Sequence, residues 1–124
     1  MAKALVVDDS RAVRMILARV LRTTGYQVEE ATNGYQALDI LEREPGAFEL
    51  MLVDWNMPEM NGMELLKRLR ADQRYASLVI IMVTTETELE HMAAALEAGA
   101  NEYVMKPFTV DILLDKLRLA GMRL

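Results

Sequence analysis

Five side chains of the sequence are of types that can handle a phosphoryl group: Asp8, Asp9, Asp54, Thr84 and Lys106. They lie far apart in the chain, yet each stands at the end of a short apolar run. Asp8-Asp9 follow residues 4–7, Asp54 follows 50–53, Thr84 follows 78–83 and Lys106 follows 103–105. Three carboxylates brought to one place repel one another unless a cation neutralises them. An oxygen donor set suits Mg²⁺, which takes one or two protein carboxylates and keeps several waters. A carboxylate left free can then attack phosphorus and form an aspartyl-phosphate. Charge developing on the phosphoryl oxygens would be met by Mg²⁺, the Lys106 ammonium and the Thr84 hydroxyl. The sequence holds neither G-x-x-x-x-G-K-[ST] nor G-x-G-x-x-G, so it lacks the usual nucleotide-phosphate loops.

Taken singly, these residues have ordinary explanations. Asp8-Asp9-Ser10 caps a helix, Asp54 is a loop acid, Thr84 caps a turn, and Lys106-Pro107 is a solvated lysine before a loop proline. Their joint placement is informative only if the apolar runs are parallel strands, because then all of them meet at one sheet edge. The remaining pattern asks for that arrangement. A fifth run covers 27–31, and three of the runs are almost wholly apolar, as in strands covered on both faces. Between them, Val13, Ile16, Leu17, Val20 and Leu21 recur at helical spacing, as do Leu89, Met92, Ala93 and Leu96, and Val110, Leu113, Leu114 and Leu117. Weaker helical patterns cover 35–44 and 63–71. Ser10 and Thr109 are N-cap candidates, and Gly25 and Gly99 sit where helices should stop. Asn33-Gly34 and Pro45-Gly46 read as turns. The predicted architecture is α/β, a (βα)₅ doubly wound parallel sheet of five strands with right-handed crossovers. Ligands of such sheets bind beyond the carboxyl ends of the strands.

Bulk composition narrows the function classes. A chain of 124 residues fits one domain, and 52% hydrophobic with 27% charged residues is a globular composition. The net charge of -5 disfavours direct binding to nucleic acid or to an anionic membrane. There is no cysteine, hence no disulfide, thiol nucleophile or zinc-thiolate site. The apolar runs are too short for a signal peptide or a spanning helix, so a soluble cytoplasmic protein is expected.

Val6-Val7-Asp8-Asp9-Ser10, Val53-Asp54-Trp55-Asn56-Met57-Pro58, Met60-Asn61-Gly62, Val83-Thr84-Thr85-Glu86 and Tyr103-Val104-Met105-Lys106-Pro107-Phe108 together resemble bacterial two-component response-regulator receiver domains. The resemblance spans essentially the whole chain and is strongest to single-domain chemotaxis regulators, notably in Asp54 to Pro58. It implies a flavodoxin-like fold with strand order 2-1-3-4-5. It implies Asp54 as phosphoacceptor, Asp9, Asp54 and the Asn56 backbone carbonyl as direct Mg²⁺ ligands, and Asp8 as a ligand through water. Lys106 would contact the phosphoryl group, Thr84 and Tyr103 would form the switch, and a cis bond would precede Pro107. Asn56 and Glu86 would tune hydrolysis of the phosphoryl group. The donor would be a sensor histidine kinase. The output would be a protein target, such as a flagellar motor switch, bound by the face made of the fourth helix, the last strand and the last helix; a phosphatase is a further partner. The chain is expected to be one receiver domain over 1–124, with no output domain after the fifth helix. Thr85, where a smaller residue is common, is expected to crowd access to the phosphoryl group.

Other readings compete. Within the same class the protein could act as a phosphate sink or a phosphorelay intermediate. A haloacid-dehalogenase-type phosphatase also forms an aspartyl-phosphate but wants an acid two residues after the nucleophile, where this chain has Asn56. A flavodoxin would need a Ser/Thr/Gly-rich loop after the first strand, and none is present. His91, the single histidine, reads as a solvated residue on a polar helix face. Met57, Met60 and Met63 read as core filler or as a partner surface. Ile112 and Leu119, off the stripe of the last helix, could form a docking face with Tyr103 and Met105.

Overall fold

A computed structural model describes residues 2–124. The elements alternate throughout: β1 (Lys3–Val7), α1 (Arg11–Thr23), β2 (Gln27–Ala31), α2 (Gly34–Arg43), β3 (Phe48–Val53), α3 (Gly62–Arg70), β4 (Val79–Thr84), α4 (Leu89–Glu97), β5 (Glu102–Met105) and α5 (Val110–Leu119), with a single 3₁₀ turn over Gln73–Tyr75. All strand pairs are parallel, in the order β2-β1-β3-β4-β5. This is the flavodoxin-like order, and it puts the most apolar strands in the middle.

Side chains alternate across a strand, so each central strand feeds two cores. Leu5, Val7, Met51, Val53, Ile80 and Met82 face one side, where α2, α3 and α4 supply Leu41, Leu65, Leu66 and Ala95. Ala4, Val6, Leu50, Leu52, Ile81 and Val83 face the other, against Leu17 and Leu21 of α1 and Leu113 and Leu117 of α5. Register then aligns the strand ends. Val7 lies beside Val53, and Thr84 beside Met105. Hydrogen bonding continues one residue past the strands: Asp8 N–H donates to the Ala31 carbonyl at 3.1 Å, Asp54 N–H to Val7 at 3.0 Å and Lys106 N–H to Thr84 at 2.9 Å. The chemistry-bearing residues therefore leave the sheet on rigid backbone.

Ser10 and Thr109 cap α1 and α5, accepting from Val13 N–H at 3.3 Å and Ile112 N–H at 3.1 Å. Gly25 and Gly99 follow α1 and α4 with φ of 99° and 113°, the left-handed conformation glycine adopts without penalty. Asn33-Gly34 is not a turn. Asn33 is the N-cap of α2, accepting from Gln36 N–H at 2.9 Å, and Gly34 is the first helical residue. Asparagine serves both roles, and only the following backbone decides between them. The peptide bond before Pro107 is cis.

Two apolar stripes differ from expectation. In α1, Ile16 is exposed while Leu17, Ala18, Val20 and Leu21 are buried. In α4, Leu89 and Leu96 point to solvent and Ala95 is the buried residue, with Met92 packed partly against the core. Periodicity reveals that a helix has an apolar side. It does not reveal that a second, small-residue side fits closer to the sheet. Among the described residues, no helix is long and apolar enough to cross a membrane.

Candidate functional site

The carboxyl edge of the sheet brings Asp8, Asp9 and Asp54 together, with one oxygen from each within 4.8 Å of the others. Asp8 is buried and fully engaged. Its Oδ1 accepts from Ser10 N–H at 2.8 Å, and its Oδ2 accepts from Lys106 Nζ at 2.7 Å. Arg14 donates to the Asp8 backbone carbonyl at 2.7 Å. Asp54 is also buried but more loosely held, with Asn56 N–H at 3.3 Å on Oδ1 and Lys106 Nζ at 3.2 Å on Oδ2. Asp9 is exposed. One ammonium thus serves two of three clustered carboxylates, and the excess negative charge is what a cation would offset.

An open cleft of about 540 Å³, lined by Asp9, Trp55, Asn56, Met57, Pro58 and Asn61, adjoins the acids. It leaves room for waters. Oxygen-only donors, a wet cleft and uncompensated charge fit Mg²⁺ better than a transition metal, which would seek imidazole or thiolate.

Thr84 is fully buried, and its hydroxyl accepts from Glu86 N–H at 3.3 Å. Tyr103 lies inside the fold, at 5% exposure, and its hydroxyl donates to the Glu86 backbone carbonyl at 2.8 Å. It was expected on the docking face and is absent from it in this conformation. The ring belongs to the core on the side of the sheet that α2, α3 and α4 cover. Burial, with the charges of Glu86 and Asp54 behind it, pushes the Tyr103 phenol up to about 12.

The structure revises the reading of His91 and Thr85 and separates the two readings of the methionines. His91 is only half exposed. Its Nδ1 lies 3.0 Å from a Glu86 oxygen, and its ring packs on Trp55 at 5.0 Å between centroids. Helical patterning placed it correctly on the outer face but could not show that two loops fold up against it. Met60 is core, buried at 1% exposure against Gly34, while Met57 and Met63 are half-buried and pack partly on the core. Thr85 is exposed and lines a separate apolar cleft of about 320 Å³ with Val13, Ile16, Lys106, Pro107 and Phe108.

Two positions that shape the site carried no chemical signal in the sequence. Gly62, the first residue of α3, donates its N–H to the Trp55 carbonyl at 2.8 Å, and a Cβ there would fall 2.2 Å from the Asp54 carbonyl oxygen. Glu59 holds a left-handed φ of 70° in the loop after Asp54, a conformation unfavourable for a residue with a Cβ. The glycine was visible inside Met60-Asn61-Gly62, but only the close approach of α3 to the Asp54 backbone explains it.

A doubly wound sheet in this order, with an acidic cluster and a lysine at its carboxyl edge, has the arrangement of a receiver domain. The chain belongs to the response regulator receiver domain family, which its residues 4–118 match. Curated relatives include a chemotaxis protein CheY homolog of Campylobacter jejuni, 46% identical over 93% of this chain and 88% of that protein. Another is the chemotaxis protein CheY1 of Helicobacter pylori, 44% identical over 94% of each chain. Among solved structures, the chemotaxis response regulator CheY4 of Vibrio cholerae superposes with a TM-score of 0.88 at 37% identity, over 97% of this chain and 98% of that one.

Proposed function

We propose that this protein is a phosphoacceptor switch, that Asp54 takes a phosphoryl group from a sensor histidine kinase, and that Mg²⁺ is required. The observation that carries the reading is the bridge of Lys106 between Asp8 and Asp54 beside the exposed Asp9. It separates three chemically identical acids. Asp8 has both oxygens occupied, and Asp9 stands out in solvent. Asp54 alone combines a shielded position with weak partners, so it is the group free to attack.

In the reaction, an Asp54 oxygen forms a bond to phosphorus while the bond from phosphorus to the donor nitrogen breaks, its electron pair leaving with the donor. Lys106 already touches Asp54 and follows the charge onto the phosphoryl oxygens. Asp9, Asp54 and the Asn56 carbonyl would hold the Mg²⁺, with Asp8 reached through water. That ion supplies positive charge against the transferring oxygens. Asn56 and Glu86 flank the approach of water and set how fast the group is lost. Asn56 also stands where a haloacid-dehalogenase-type phosphatase would need its acid, which favours a switch over a turnover enzyme.

The affected surface is the α4–β5–α5 face. Leu89, Leu96, Met105, Ile112 and Leu119 are all exposed there, an apolar set of the kind that binds protein. The names of the relatives support a chemotaxis output; a flagellar motor component is the target proposed here, and a phosphatase a further proposed partner. Labelling with a small acyl-phosphate donor tests the acceptor. Uptake is expected with Mg²⁺ and not with chelator, and none in Asp54→Asn. Full labelling of Asp54→Asn would refute the assignment.

A further inference from the structure

The loops on either side of the acceptor are joined by one side chain of α4. His91 reaches the loop after β4 through Nδ1, 3.0 Å from Glu86 Oε2, and the loop after β3 through ring contact with Trp55, at 5.0 Å with planes inclined by 36°. Glu86 is held a second time, since its carbonyl takes the Tyr103 hydroxyl at 2.8 Å. Trp55 is covalently next to Asp54, and its carbonyl takes the Gly62 N–H. So the imidazole closes a chain of contacts that runs from the residue next to Asp54 to the switch tyrosine.

We propose that His91 is a positioning residue for the phosphoryl site: by holding the Glu86 carboxylate and the Trp55 ring together it restricts water entry over Asp54 and so prolongs the lifetime of the aspartyl-phosphate. The inference rests on the acceptor reading given above. The step it governs is hydrolysis. Water oxygen bonds to phosphorus, the bond from phosphorus to the Asp54 oxygen breaks with its electron pair returning to the carboxylate, and the water protons leave with phosphate and solvent.

Among the described residues, the carboxylates within ion-pair reach of the ring are those of Glu86 and, at 3.9 Å, Glu88, the N-cap of α4. The ring is thus held by acids on one side and by an indole face on the other. The nitrogen that matters is Nδ1, which must carry hydrogen to donate to the Glu86 carboxylate.

The chain has one tryptophan and one histidine, so both readouts are unambiguous. In unphosphorylated protein without Mg²⁺, Trp55 fluorescence should shift in His91→Gln, which removes the ring from the indole. In phosphorylated protein, decay of the label should be about two- to fivefold faster in His91→Gln, the range open to a half-exposed pair. His91→Asn, whose amide nitrogen can stand where Nδ1 does, should keep slow decay. A protein that takes no label overturns the acceptor reading and this inference with it. A labelled His91→Gln protein with the decay and the fluorescence of the wild type, or a His91→Asn protein that decays as fast as His91→Gln, overturns this inference alone.

Discussion

Gly62 illustrates how little space separates Asp54 from its supports. Its missing side chain lets α3 begin against the carbonyl of Asp54, and a methyl group there would meet backbone, which cannot rotate away. Gly62→Ala is expected to destabilise the fold by about 1–3 kcal/mol, the usual cost of overpacking, and to slow acyl-phosphate labelling; urea unfolding and label uptake read the two effects. Tyr103 offers a cleaner probe. Its phenol is pushed up to about 12 by burial and by the neighbouring Glu86 and Asp54 charges. A free tyrosine ionises near 10, so the folded chain holds this proton more tightly than the unfolded one. That contribution to stability is complete below about pH 10 and is lost as pH rises through about 12. Phenolate absorbance of the wild type, compared with Tyr103→Phe, should therefore show one late-ionising group. A difference spectrum that develops near pH 10 would mean the ring is not enclosed.

Helices and loops are tied together by a second polar device, remote from the site. Arg70, near the end of α3, donates at 2.9 Å to the carbonyls of Gly99 and Tyr75 and to Asn101 Oδ1, which also accepts from Ile80 N–H. One guanidinium thus joins α3, the 3₁₀ turn, the α4–β5 turn and the start of β4. Gly99 is confined for the same reason, since a Cβ would fall 2.8 Å from the Arg70 side chain. Arg70→Ala leaves buried carbonyls without their donor and should cost about 1–3 kcal/mol. Lysine cannot reproduce the planar fork, so Arg70→Lys should recover only part of the loss. The measurement is the urea midpoint at unchanged slope. Unaltered midpoints in both variants would show that water replaces the guanidinium.

On the proposed reading a signal would pass from Asp54 to the α4–β5–α5 face, and the route is short. Thr84 and Tyr103 are both buried, and both bond to the Glu86 backbone. In this structure the ring already occupies the inner position. Phosphorylation would then act by favouring that position through Thr84, not by creating it, and a ligand shifts such an equilibrium only by its differential affinity for the two states. Thr84→Ala should still accept phosphate on Asp54 while losing most of the roughly 5–150-fold gain in target affinity typical of coupled sites. Leu119, at 71% exposure, and Ile112 lie on the outer face of α5. Their change to serine should weaken target binding with labelling intact. Binding to a chemotaxis target, with and without beryllofluoride, reads both effects, and a full gain in Thr84→Ala would exclude this route.

The hydrophobic pattern and its punctuation were enough to place five strands, five helices and the reactive residues at the strand ends, because each strand, cap and turn is set by residues close in the chain. Ser10, Thr109, Gly25 and Gly99 act as their local chemistry requires. The order of the strands came from family resemblance and not from the pattern, since pairing between strands is a contact at long range. Which side of α4 is buried also escaped the pattern: Leu89 and Leu96 satisfy the period, but Ala95 fits the space the sheet leaves. Asp8, Asp9 and Asp54 are one residue type at three strand-end positions. Only the fold assigns Lys106 to two of them and leaves the third in solvent, and only the fold sets His91 between Trp55 and Glu86. Local spacing decides what an element is; what covers it depends on the shape of neighbours far away in the chain.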